Sequence, residues 1–197
     1  MGLLLDAACA WEDLCKVAYS IELGHKGKHF ALFLTFEPSE LPHLAGMQYA
    51  TDVDFGLRRA EFYGENLIAA VLSGRLDENR IRNAREWPRI EGRLKAIVSL
   101  RQTFSGRFRI ARFNPKKVSG SCNIDAEYII ENIVSGETFF VFLDAKKGRY
   151  FCKSAFQSEY TDYMRFQTTM TVLKVEKRDS LGTTVLYQHP NYVETSP

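Results

Sequence analysis

The chain has 197 residues, 45% hydrophobic and 25% charged, with a formal net charge of +2 at pH 7. Those are globular values, so disorder, collagen-like repeats and a coiled coil are excluded, and the length predicts one domain over residues 1–197. The best apolar runs, residues 31–36 and 138–143, are strand-length and fall far short of the ~18 residues a membrane helix needs, so no membrane partner is expected.

Leu4, Leu5, Ala8, Trp11, Cys15 and Ala18 recur at three- and four-residue steps, which predicts an amphipathic helix reaching about residue 19. Gly24, Lys26, Gly27 and Lys28 break that pattern. Residues 29–36 have no helical period and read as a buried strand stopped by Pro38. A short helix should follow, with Ser39 as N-cap and Gly46 as its stop. Leu57, Ala60, Tyr63, Gly64, Leu67, Ile68, Val71 and Leu72 share one face of the next helix, ended by Gly74. Asp77 caps a shorter segment to about Trp87. Pro88 suits the first turn of a helix whose apolar face carries Ile90, Leu94, Ile97 and Val98.

From Arg107 the period changes towards two, giving a half-buried strand that ends at Asn114-Pro115. Residues 125–134, 138–143, 149–156, 168–177 and 183–189 read as five more strands. Their links are short enough for hairpins and predict an antiparallel meander. The expected fold class is therefore α+β, with a helix-rich half (1–104) packed on an antiparallel sheet (107–189).

The four cysteines form no C-x-x-C pair, which disfavours zinc and predicts buried thiols in a reducing, cytoplasmic setting. A secretory signal is not expected, because Asp6, Glu12 and Asp13 precede any Lys or Arg; position 6 also argues against myristoylation. Signatures for a P-loop, a dinucleotide fold, a serine-hydrolase elbow and a zinc protease are absent, so no cofactor and no metal are expected.

Charge is unevenly distributed. Between Gly92 and Ile124 there is no acid, while Arg93, Lys95, Arg101, Arg107, Arg109, Arg112, Lys116 and Lys117 add eight positive charges. Such a block suits a phosphate-bearing partner, RNA in particular, with Arg107, Arg109, Arg112, Lys116 and Lys117 as candidate RNA-binding residues; a solvated basic surface is the alternative. His43 lies about 200° around its short helix from Leu41 and should point away from the arc formed by Leu41, Leu44 and Ala45, free to exchange protons or simply exposed. Arg93 and Arg101 sit beside the apolar stripe of the helix after Pro88, where each could reach a phosphate or merely snorkel. In the strand 149–156, alternation puts Lys153 and Ser154 on opposite faces, so one of them is a bystander unless a bulge or an edge intervenes.

Phe36-Glu-Pro-Ser-Glu-Leu-Pro-His-Leu-Ala-Gly46, Ile124-Asp-Ala-Glu-Tyr-Ile-Ile130 and Tyr150-Phe-Cys-Lys-Ser-Ala-Phe156 together resemble the phage-associated branch of the barnase, EndoU, colicin and RelE-like nuclease superfold, over roughly residues 10–178. That resemblance implies a toxin-like ribonuclease of a mobile element that needs no metal, with helices packed on an antiparallel sheet. By motif match it implies catalytic positions at His43 and Ser154; Ala155 stands where a Phe would be expected after Ser154. The implied reaction is attack of the RNA 2′-hydroxyl on its own phosphate. It would use His43 as acid or base, Arg93, Arg101 or Lys153 for the phosphorane charge, and Ser154 on a phosphate oxygen. Unpaired RNA is the expected substrate, because its bases can splay and stack. An antitoxin or another phage protein is the further partner left open. Two rival readings remain: a catalytically silent nucleic-acid-binding module, which would use the same basic block, and an assembly protein, which needs neither chemistry nor charge.

Overall fold

In the computed structural model, residues 2–55, 65–104, 108–158 and 160–193 are described. The N-terminal helix, Leu3–Leu14, buries Leu4, Ala7, Ala8, Trp11 and Leu14 along one stripe. It stops before residue 19 because Tyr19, Ile21 and Leu23 alternate with less buried residues, and alternation is a strand's period. They belong to β1 (Ala18–His25), which pairs with β2 (Lys28–Thr35). Lys26 at φ 48° and Gly27 at φ 73° form the two-residue turn whose twist suits a hairpin, so the Gly/Lys run is a hairpin tip within a sheet.

The chain then turns through Pro38–Glu40 into the short helix Leu41–Leu44. Glu37 rather than Ser39 caps this turn, in a reciprocal pair with Glu40. Gly46 ends the helix at φ 80°. A Cβ there would lie 2.7 Å from Cδ of Arg93, so this glycine serves both the left-handed backbone and the close passage of that arginine. Of the expected helix around residues 57–72, Asn66–Leu72 is observed, and Leu57, Ala60, Tyr63 and Gly64 lie outside the described residues. Asp77 caps Glu78–Ile81 through the Asn79 N–H at 2.8 Å. The long helix Trp87–Thr103 has Pro88 in its first turn and buries Ile90, Leu94, Ile97 and Leu100; Val98 is exposed, Leu100 taking its place on the stripe.

The strands after the helices agree closely with the period-two reading: β3 (Arg109–Arg112), β4 (Tyr128–Val134), β5 (Glu137–Lys146), β6 (Arg149–Gln157), β7 (Thr168–Asp179) and β8 (Gly182–Gln188). Ser135-Gly136 and Lys147-Gly148, all at positive φ, make the turns on either side of β5. The helices-then-sheet scheme needs three corrections. β1 and β2, from the helix-rich half, belong to the same sheet. β6 does not pair with β7 but meets β2 in parallel, with Leu34 opposite Tyr150. Finally, β7 inserts beside β3 and pairs back on β1, closing β1-β2-β6-β5-β4-β3-β7 into a barrel, with β8 added along β7.

One buried cluster joins both halves of the chain: Trp11, Leu34, Leu94, Leu100 and Phe104 pack with Ile130, Val141, Leu143, Cys152 and Ala155. A smaller cluster, Phe113, Ile129, Phe140, Phe142 and Met164, with Phe156 and Tyr163 against it, lies on the other face of the β3–β6 strands. Only Cys152 of the four cysteines is buried; Cys9 is exposed and Cys15 and Cys122 are half-buried, which corrects the expectation of four buried thiols. Among the described residues no helix is long and apolar enough to cross a membrane.

Candidate active site

The regular pleat of β6 fails at one residue. Opposite β5, Phe142 pairs with Ser154 and Leu143 with Cys152, so Lys153 is an extra residue in a β-bulge. Cys152 and Ala155, three residues apart, both point into the main core, and the bulge turns Lys153 and Ser154 together to the opposite side. Both line a cavity of about 650 Å³. The either-or set by strict alternation is thus resolved by the bulge, and neither residue is excluded from the site.

Three other walls complete the cavity. The first turns of the long helix supply Pro88, Arg89, Gly92 and Arg93; the short helix supplies His43, with Tyr49 following it; residues 121–125 and Tyr163 close the far side. His43 is open to solvent on its helix, as its angular position required, while one side of its ring lies along the cavity wall and loses part of its hydration. Its pKa is held below the usual histidine value, first by partial burial and then by the Arg93 guanidinium, while a hydrogen bond with the Lys153 backbone pulls the other way. The imidazole is therefore unprotonated at neutral pH.

Arg93 is 7% exposed and has no carboxylate partner among the described residues. Its Nη1 donates to the Leu44 carbonyl at 3.4 Å, and its guanidinium lies 5.3 Å from the Tyr49 ring and 5.7 Å from the Phe156 ring. Burial lowers its pKa from the usual value. Lys153 is half-buried, with Nζ 2.6 Å from Asp144 and 4.0 Å from Asp125. Ser154 is 7% exposed. Tyr163 is clamped edge-on by Phe140, Phe142 and Phe156 at 5.2–5.6 Å, and burial raises its phenol pKa, so it stays protonated at neutral pH. The cavity thus combines a neutral imidazole, the three cations Arg89, Arg93 and Lys153, the Ser154 hydroxyl, the Tyr49 and Tyr163 side chains and the Asp125 carboxylate. Among the described residues no group of three or more His, Cys, Asp or Glu side chains could hold a metal ion.

A family model described as phage-Barnase-EndoU-ColicinE5/D-RelE like nuclease4 matches residues 3–189. The chain belongs to this nuclease family. No curated protein and no solved structure matches it.

Four of the five candidate catalytic residues of this family member, His43, Arg93, Lys153 and Ser154, therefore meet at one cavity. Arg101 does not. It lies two turns, about 12 Å, further along the helix than Arg93 and pairs with Asp13. The basic block is likewise divided by folding: Lys95 faces Glu91 and Glu137, and Arg109 binds Glu131 at 2.6 Å, carboxylates that the acid-free stretch of sequence does not contain. Arg112, Lys116 and Lys117 are exposed, and Arg107 lies outside the described residues. The other histidines are engaged elsewhere: His29 with Glu22, His25 with the Thr169 carbonyl and His189 with the Asn191 N–H. Sequence reasoning missed Tyr49, Arg89 and Tyr163. The 89-92-93 spacing on one helix flank was the only signal available for the arginine, and the tyrosines carried none.

Proposed function

We propose that the chain is an endoribonuclease that cleaves single-stranded RNA by transesterification, without a metal. The observation that carries the reading is the convergence of His43, Arg93, Lys153 and Ser154 on one cavity, with the last two brought in by the bulge. His43, neutral at pH 7, takes the proton from the 2′-hydroxyl. The hydroxyl oxygen attacks the adjacent phosphorus and the bond to the 5′-oxygen breaks, leaving a 2′,3′-cyclic phosphate. Arg93 and Lys153 offset the negative charge that builds on the phosphorane, and Ser154 Oγ donates to one of its oxygens. Tyr163, whose ring is clamped at the cavity wall and whose hydroxyl is protonated at neutral pH, supplies the proton to the departing 5′-oxygen. Arg112, Lys116 and Lys117 bind the strand outside the cavity. The phage association in the family's description fits a toxin-like enzyme acting in a reducing cytoplasm, where an antitoxin or another phage protein would hold it in check.

The test is incubation with labelled single-stranded RNA in EDTA, beside the same sequence carrying 2′-deoxyribose throughout. Cleavage of the RNA alone supports the proposal. Retention of both strands without cleavage supports a binding module instead, and cleavage of both removes the 2′-hydroxyl from the mechanism.

A further inference from the structure

We propose that Arg89, carried on Tyr49, forms a second phosphate subsite that binds the phosphodiester next to the scissile one. The inference rests on the endoribonuclease reading and names a residue that reading does not use. Arg89 and Arg93 are one turn apart on the flank of the long helix that lines the cavity, about 6 Å along its axis. Two guanidiniums so placed repel each other, and Arg89 contributes to lowering the pKa of Arg93. Neither has a carboxylate partner among the described residues. The one carboxylate among the described residues that line the cavity, Asp125, faces Lys153 instead. Such a pair is stabilised when an anion with two separated negative charges bridges it, and successive phosphates of one strand are such an anion.

Arg89 is also held in place. Its guanidinium lies 3.7 Å over the Tyr49 ring, and its Nη2 donates to the Tyr49 hydroxyl at 3.0 Å. That clamp fixes the plane of the fork while leaving its remaining N–H groups to the cavity, a pre-organised arrangement that suits bidentate binding of phosphate. Between the two arginines the flank that faces the cavity carries only Gly92, with Ile90 and Glu91 lying off it. Gly92 lines the cavity, and a Cβ there would come no closer than 3.8 Å to Gln157, so packing does not demand a glycine. A glycine inside a helix costs about 0.5–1 kcal/mol relative to alanine. At this position it leaves the helix flank open for a strand to lie across, from Arg93 to Arg89.

The experiment compares Arg89→Ala, Tyr49→Phe and wild type on an RNA dinucleotide, which has one phosphodiester, and on a tetranucleotide, which has three. Arg89 is exposed, so its loss leaves folding nearly unchanged. Arg89→Ala should lower kcat/KM for the tetranucleotide about tenfold more than for the dinucleotide, chiefly through KM, with Tyr49→Phe in between. Equal losses on both substrates, or no loss on either, would overturn the subsite. If wild type cleaves neither substrate, the endoribonuclease reading fails by itself, and the subsite is read from binding of a 2′-deoxy tetranucleotide. There Arg89→Ala should reduce the slope of log K against log salt by about 0.7, the value for one lost phosphate contact on a single strand. An unchanged slope would overturn it there too.

Discussion

Arg93→Met separates stability from chemistry more sharply than any other substitution in this chain. The arginine is a buried cation with no carboxylate partner among the described residues, and withdrawing such a charge from water costs several kcal/mol after relaxation. Against that cost stand the long hydrogen bond to Leu44, worth about 1 kcal/mol, and the offset contacts with Tyr49 and Phe156, together about 0.5–2 kcal/mol. Methionine keeps the stem that passes Gly46, removes the charge and relieves the repulsion from Arg89. Apolar replacements of buried ionic groups are neutral or stabilising by about 1–4 kcal/mol, and we expect about 1–2 kcal/mol here. For a chain of this size that raises Tm by roughly 2–8 °C. The same change removes a preorganised cation from the transition state, for which a loss of about 10²–10³ in kcat is expected. Paired melting curves and RNA cleavage in EDTA provide the assay. A lower Tm with activity following the folded fraction would refute the reasoning, because Arg93 would then be holding the fold together rather than the phosphate.

Four further outcomes follow from the same geometry. His43→Ala should lower cleavage by about 10²–10⁴ with Tm nearly unchanged, since the residue is exposed; cleavage equal to wild type would remove it from the chemistry. Because the pKa of His43 is depressed, its neutral form persists below the usual value of 6.5, so kcat/KM should hold as pH falls through 6.5 and decline only below it; a decline centred above 6.5 would contradict the assignment. The same sign governs stability: the contribution of His43 is full above its unfolded pKa and is lost as pH falls through the folded one, so His43→Ala should flatten the acid limb of a Tm–pH curve. Deleting Lys153 removes the bulge yet leaves Cys152 and Ala155 facing the core and Ser154 facing the cavity, so the variant should fold and cleave at least tenfold more slowly; a variant that fails to fold would show that the bulge is needed by the core.

Much of this fold could be read from the sequence wherever the deciding interaction is local. Period-two alternation and short glycine turns located β4 to β8 to within a few residues, and Gly46, Gly74 and Asp77 marked helix ends through backbone preferences that belong to single residues. β1 was misread because its first residues continue the three- and four-step spacing of the preceding helix, although Tyr19, Ile21 and Leu23 already alternate. Barrel closure lay beyond reach, since the pairing of β1 with β7 joins Ala18 to Arg178 and nothing in either segment encodes the other. The same distinction governs the site. The angular position of His43 is a property of four consecutive residues and was legible. The bulge at Lys153 depends on the register of a neighbouring strand and was not, because lysine is no marker of a bulge. The basic block was divided for a like reason: Asp13, Glu131 and Glu137 are remote in sequence from Arg101, Arg109 and Lys95 and close in space.

The most direct test of the central claim is the chemistry of the new RNA ends. A single-stranded RNA labelled at its 5′ end, cleaved by the wild-type chain in EDTA, should yield fragments ending in 2′,3′-cyclic phosphate, and the reaction should be lost when the scissile nucleotide carries a 2′-O-methyl group. Fragments ending in a free 3′-hydroxyl, or cleavage that survives 2′-O-methylation, would contradict a transesterification run by His43, Arg93, Lys153 and Ser154.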